Sequence, residues 1–166
     1  RDFFKSDKEK EEFIINSTFK KVFKLLISQF KNTNINIVKN IDEVEIVGIE
    51  NHLIQVLINI INNARDELLK KEYERLIIVD VFKNNNRLEI SIKDNAGGIP
   101  LEFMDKIFES HFTTKQDSGG TGIGLYMSKL IIEDLLHGRI NVSNEEFDYE
   151  QKKYMGANFR LTLPLI

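Results

Sequence analysis

The 166-residue chain contains no cysteine and no tryptophan, and only two prolines, Pro100 and Pro164. The missing thiols exclude disulfide staples, thiol catalysis and thiolate zinc sites together. No apolar run approaches the roughly 18 residues that a membrane-spanning helix needs, and the first residues lack the layout of a signal peptide. Nor is there an excess of positive charge: 23 Lys and Arg stand against 26 Asp and Glu, a net charge of −3. Basic residues occur only in short pairs, so no nucleic-acid partner is expected. What is plentiful is apolar, 42% of the residues including twelve Phe. A chain of this length buries roughly 68–70% of its unfolded surface, enough for one domain.

Residues 1–12 are dominated by charge and read as a linker, with the folded domain over 13–166. From Asn16 to Phe30, Phe19, Val22, Phe23, Leu26, Ile27 and Phe30 recur at helical spacing, with Asn16 or Ser17 as N-cap. Ile35–Lys39 and Val44–Val47 read as short strands. A long helix is expected from Glu50 to Lys71, with Leu53, Val56, Leu57, Ile60, Ile61, Ala64 and Leu68 as its core stripe. Arg75–Phe82 and Arg87–Lys93 are strands around the turn Lys83–Asn86, followed by a short helix at Leu101–Phe108. A helix from Gly124 to Leu136 closes at His137-Gly138, and Arg139–Ser143 and Ala157–Leu163 are terminal strands flanking the charged stretch 144–153. Strands outnumber helices without a regular βαβ alternation, which predicts an α+β sandwich, one sheet with helices on one face.

Four features carry chemistry. Asn59, Asn63 and Asp66 stand at i, i+4 and i+7 and project from one helix face beside the apolar stripe. Amide and carboxylate oxygens are hard ligands suited to Mg²⁺, although an isolated Asn pair more often finds local hydrogen bonds or water. Asp94 ends a strand beside Ala96, Gly97 and Gly98, where a carboxylate is able to accept from an exocyclic amine and glycines admit a flat ring; an ordinary Asp-Asn turn accounts for the same residues. Gly120, Gly122 and Gly124 precede a helix and offer backbone N–H groups to an anion. This run is neither a P-loop nor a Rossmann fingerprint. Between Gly98 and Gly120, Phe108 and Phe112 are placed to anchor a lid, and Lys115 either reaches phosphate or is solvated. His52, His111 and His137 are scattered, so no metal site is expected on them; His137 suits a helix C-terminus and His52 reads as a surface residue.

In this order and spacing the chain resembles the catalytic, ATP-binding domain of bacterial sensor histidine kinases, in the superfamily shared with DNA gyrase, the Hsp90 chaperones and MutL. The segments that carry the resemblance are Gln55–Asp66, Asp94–Ile99, Ile107–Lys115, Gly120–Leu125 and the closing Gly156–Pro164. The resemblance implies a two-layer Bergerat-type sandwich, a mixed sheet covered on one face by helices, with an ATP lid. It implies ATP and Mg²⁺ as ligands, Asn63 on the metal and Asn59 beside the metal's water shell or the γ-phosphate. Asp94 would take the adenine amine, with Gly98 and Ile99 beside the ring. Gly120, Thr121, Gly122, Ile123, Gly124 and Leu125 would line the phosphates, with Thr114 and Lys115 closing over them. Asn59, Asn63 and Lys115 are the catalytic candidates. Ala96 replaces the first glycine usual in its segment, a small intrusion that binding is expected to survive. Ser110-His111 replaces a Pro-aromatic pair of the lid. Asp66 stands where many relatives carry a base, and its charge suits support of Asn63 or Arg65 rather than a phosphate contact.

Superfamily members that hydrolyse ATP or phosphorylate Ser carry a carboxylate at the position of Asn59 to activate water or hydroxyl. An amide is no useful proton acceptor, whereas a neutral His is already nucleophilic. The expected reaction is therefore transfer of the γ-phosphoryl group to a His on a dimerisation helix. No acceptor pair is present, because Leu53, Phe112 and Gly138 follow the three histidines. Expected partners are those phosphoacceptor helices and a downstream response regulator, with no membrane contact by this domain, an isolated monomer and a cytoplasmic location. An ATPase or serine kinase of the same superfamily, and a scaffold that binds no nucleotide, are the alternatives.

Overall fold

The computed structural model describes residues 10–110, 112 and 124–165. In chain order the elements are β1 (Glu11–Ile14), α1 (Ile15–Phe30), β2 (Ile35–Ile41), β3 (Glu45–Gly48), α2 (Glu50–Leu68), β4 (Arg75–Asn84), β5 (Arg87–Asp94), α3 (Leu101–Met104), α4 (Gly124–Leu130), β6 (Arg139–Tyr149) and β7 (Lys152–Pro164). Beyond Leu130 the helix widens into a π turn over Ile131–Leu135.

β2-β4-β5-β7-β6 form a five-stranded mixed sheet, with β2 parallel to β4 and every other neighbour antiparallel. Alternation along the strands sends Ile77, Val79 and Val81 of β4, Leu88, Ile90 and Ile92 of β5, and Phe159, Leu161 and Leu163 of β7 to one face. Against them lie Phe19, Val22 and Leu26 of α1 and the full expected stripe of α2. This is the two-layer α+β sandwich with helices on one face. Leu57 and Ile60 are wholly buried, and truncating either to Ala costs about 2–5 kcal/mol.

Several expectations need correction. Glu11 and Glu12 pair with Gly48 and Val47 in a small two-stranded sheet, β1 with β3. β1 runs straight into α1, which starts at Ile15 with Ile14 as N-cap, so neither Asn16 nor Ser17 caps it; the Ile15 N–H donates instead to the Val44 carbonyl at 2.9 Å. α2 ends at Leu68, short of Lys71, where Arg75 donates to the carbonyls of Leu69 and Lys71. α3 stops at Met104, and the chain continues in i→i−3 turns, Lys106 to Phe103 and Glu109 to Lys106. His52 is buried rather than exposed, on the first turn of a helix packed against the π turn.

The largest difference concerns the charged stretch 144–153. β6 continues to Tyr149 and β7 begins at Lys152, joined by Glu150-Gln151, both at positive φ. Cross-strand pairs hold this extension: Asp148 faces Lys153 at 3.8 Å, and the rings of Phe147 and Tyr154 lie 5.8 Å apart. The β4–β5 turn likewise tightens to Asn85-Asn86.

Candidate functional site

At the end of β5 the Asp94 side chain is 5% exposed. Its Oδ1 accepts from the Ala96 N–H at 2.9 Å and from the Ala157 N–H at 3.3 Å. Neither bond uses Oδ2, which leaves one carboxylate oxygen for another donor. Burial pushes the carboxyl up from 3.8 to about 6; the two N–H bonds oppose the rise, and the nearby Glu67 charge adds to it. β7 reaches Asp94 closely because residue 156 is glycine: a Cβ there would sit 1.7 Å from the Asp94 carbonyl oxygen.

The loop after Asp94 is held at several points. Asn95, buried, accepts from the Leu76 N–H at 2.8 Å and donates to the Glu74 carbonyl at 2.7 Å. Tyr73 donates its hydroxyl hydrogen to the Asn95 carbonyl at 2.9 Å. The Gly97 N–H donates to Met155 of β7 at 3.0 Å. Gly97 and Gly98 have φ of +97° and +96°, a conformation in which glycine carries little penalty. At Ile99 the Asn144 carboxamide accepts from the N–H at 2.8 Å and donates to the carbonyl at 2.9 Å.

α2 supplies the neighbouring wall. Asn59 donates from Nδ2 to the Gly124 carbonyl at 3.2 Å and to the Ser128 hydroxyl oxygen at 3.3 Å. It therefore pins the start of α4 to α2. Asn63, half-buried, follows one turn later on the same face. Asp66 accepts from Arg65 Nη2 at 2.7 Å and from Arg65 Nε at 3.2 Å, and Arg65 Nη1 donates to the Gln29 carbonyl of α1. Phe108 meets Phe159 of the core edge-to-face at 6.3 Å, and Phe112 lies 5.4 Å from Phe103. Lys129 of α4 lies over the Phe108 ring and pairs with Glu133.

The structure thus brings Asp94, Gly98 and Ile99 to one strand end, and Asn59, Gly124 and Leu125 to the junction of α2 and α4. Thr114, Lys115, Gly120, Thr121, Gly122, Ile123 and His111 lie outside the described residues. Asn95, Asn144 and Gly156 were assigned no role from sequence. Asn144 had a signal, being a polar residue in register with Ile140 and Val142 on the inward face of a strand. Among the described residues no group of three His, Cys, Asp or Glu is arranged to hold a metal, and no helix is long and apolar enough to cross a membrane. A groove of about 480 Å³ lies on the opposite, polar sheet face, lined among others by Asp80, Glu89, Ser91 and Arg160, and none of the expected site residues that the structure describes borders it.

Residues 48–166 match the family described as histidine kinase-, DNA gyrase B-, and HSP90-like ATPase. Sporulation kinase C of Bacillus subtilis is 31% identical over 154 residues, 91% of this chain but 33% of that protein. The chain therefore spans about a third of that relative's length. The nucleotide-free catalytic domain of the histidine kinase ThkA superposes with a TM-score of 0.77 at 26% identity, covering 95% of this chain and 98% of that one. The histidine kinase ThkA in complex with the response regulator protein TrrA superposes with a TM-score of 0.72 at 24% identity, covering 95% of this chain and 42% of that one.

Proposed function

Because the chain belongs to the family of histidine kinase-, DNA gyrase B-, and HSP90-like ATPases, we propose that it is the catalytic domain of a two-component sensor kinase, binding Mg-ATP and transferring its γ-phosphoryl group to a histidine. The observation that carries the reading is the Asp94 carboxylate, fixed by two backbone N–H groups with Oδ2 left over, beside two glycines at positive φ. An acceptor so held suits an exocyclic amine of a flat base. Gly98 and Ile99 border the ring, and the α2 face carrying Asn59 and Asn63 runs toward the start of α4, where Gly124 and Leu125 approach the phosphates.

Asn63 would hold Mg²⁺ through its amide oxygen. The donor set fits: the ion is hard, keeps several waters and takes much of its coordination from substrate phosphates, so one protein oxygen suffices without an acidic cage. When bound, the ion neutralises charge on the phosphates. The residues of the chain do the rest. Asp94 orients the base, and Asn59 fixes α4 against α2 so that its N-terminus faces the anion. Thr114, Lys115 and the glycines at 120 and 122 complete the phosphate contacts in this reading, with Thr121 and Ile123 between them. Asn59 in place of a carboxylate leaves no base for water, which favours a histidine acceptor over hydrolysis or a serine acceptor.

The acceptor in this reading is a histidine on dimerisation helices, since none of the three histidines of these 166 residues is followed by an acidic residue. A response regulator is the downstream partner, in keeping with the ThkA–TrrA complex, and the domain acts in the cytoplasm. The test supplies γ-labelled ATP, Mg²⁺ and a separately made dimerisation-helix fragment. An acid-labile, alkali-stable label on the fragment is expected. An acid-stable label on serine, brisk ATP turnover without the fragment, or no label would overturn the proposal.

A further inference from the structure

We propose that Asn144, which lies outside every segment that carries the family resemblance, is a positioning residue for base recognition: its carboxamide holds the backbone at Gly98–Ile99 so that the base-reading carboxylate stays accessible. The inference rests on the nucleotide reading above. Asn144 belongs to the inward face of β6, two residues on from Val142 and four from Ile140. An apolar side chain is the ordinary occupant of such a position. The polar one is matched, because both its oxygen and its nitrogen engage the same residue, Ile99, at 2.8 and 2.9 Å. Across the ladder Asn144 is paired with Ala157, whose N–H donates to Asp94. One rung of the sheet therefore touches both sides of the site.

Gly98 records the same arrangement. A Cβ at that position would lie 2.8 Å from the Asn144 oxygen and 2.9 Å from its carboxamide carbon. The carboxamide thus fills the space a side chain at residue 98 would need. Asn95 fixes the near end of the loop to β4, and the Gly97 N–H ties its middle to Met155. Asn144 is the side chain that ties the far end, before Pro100 and α3. Without it the loop retains its first anchors and gains freedom where the ring must be received.

The test compares the dissociation constants of ATP and inosine triphosphate, which carries an oxygen in place of the amine, in the 166-residue chain and in Asn144→Ala. Loss of positioning is expected to weaken ATP about tenfold, about 1.4 kcal/mol. It is also expected to shrink the inosine-to-adenosine ratio by a similar factor, with inosine triphosphate affinity little changed. Val142→Ala, on the same strand face, loosens β6 without touching Ile99 and should leave the ratio alone. Asn144→Asp keeps an acceptor for the Ile99 N–H but sets an oxygen against the Ile99 carbonyl, so it should shift the ratio in the same direction even where Asn144→Ala folds poorly. An unchanged ratio in both Asn144 variants, or an equal change in Val142→Ala, would overturn the role of Asn144 while the nucleotide reading stood. Failure of the unmodified chain to bind ATP would overturn both.

Discussion

Asp94→Asn separates what this site costs the fold from what it gives to binding. The buried carboxyl has its pKa raised from 3.8 to about 6, with burial as the main cause. In the unfolded chain it ionises near its ordinary value, so between pH 4 and 6 the unfolded state loses a proton that the folded state keeps. Stability of the unmodified chain therefore falls as pH rises through this window and levels off above it. The shift corresponds to about 3 kcal/mol. Asparagine is isosteric and uncharged, and its Oδ1 is still able to accept from Ala96 and Ala157. Urea denaturation at pH 4, 5, 6 and 7 should find the two proteins converging at pH 4 and the variant more stable by up to about 3 kcal/mol at pH 7. With a slope of about 2 kcal/mol/M, that is a midpoint increase of about 1.5 M. In the proposed nucleotide complex the same substitution would turn Oδ2 into an N–H donor facing the adenine amine, and ATP affinity should drop about a hundredfold. A variant that is less stable at neutral pH, or equally sensitive to pH, would refute the account of the buried charge. Undiminished ATP binding would refute its function.

Other substitutions probe the scaffold. Gly156→Ala sets a Cβ 1.7 Å from the Asp94 carbonyl oxygen, so β7 must shift; thermal denaturation should report a loss of at least about 3 kcal/mol. Arg75→Ala removes hydrogen bonds to the carbonyls of Thr33 and Lys71, at 2.7 Å each, and should cost about 2 kcal/mol in urea denaturation. Asn59→Asp replaces the amide that donates to Gly124 and Ser128 with an acceptor. It should cost about 1–2 kcal/mol, with faster amide hydrogen exchange over Gly124–Leu130, and unchanged exchange there would contradict the role assigned to Asn59.

The regular parts of this molecule were legible because periodicity and burial agree. The apolar stripe of α2 and the alternating apolar residues of β5 each point to one face, the apolar run Leu76–Val79 of β4 is buried throughout, and the sandwich follows. Asp94 and its glycines were legible because a strand that stops at a carboxylate is a local pattern. The β6–β7 extension was hidden by its charge: Glu145, Glu146 and Asp148 read as loop, whereas their pairing partners lie on the other arm of the hairpin. β1 was hidden for the same reason, since its partner β3 begins some 30 residues away. The N-cap of α1 was misplaced because a tertiary carbonyl, Val44, satisfies the Ile15 N–H, and no local rule anticipates that. Asn144 was overlooked because its partner, Ile99, lies 45 residues away in sequence.

The central claim is that the nucleotide base sits at the end of β5, and a Mg-ATP titration followed by backbone amide NMR tests it most directly. The account predicts that the largest shifts fall on Ala96, Gly97, Gly98, Ile99 and Ala157, saturating together with those at the start of α4. Shifts confined to the opposite sheet face, at Asp80, Glu89, Ser91 and Arg160 around the 480 Å³ groove, or no saturable shifts at all, would contradict it.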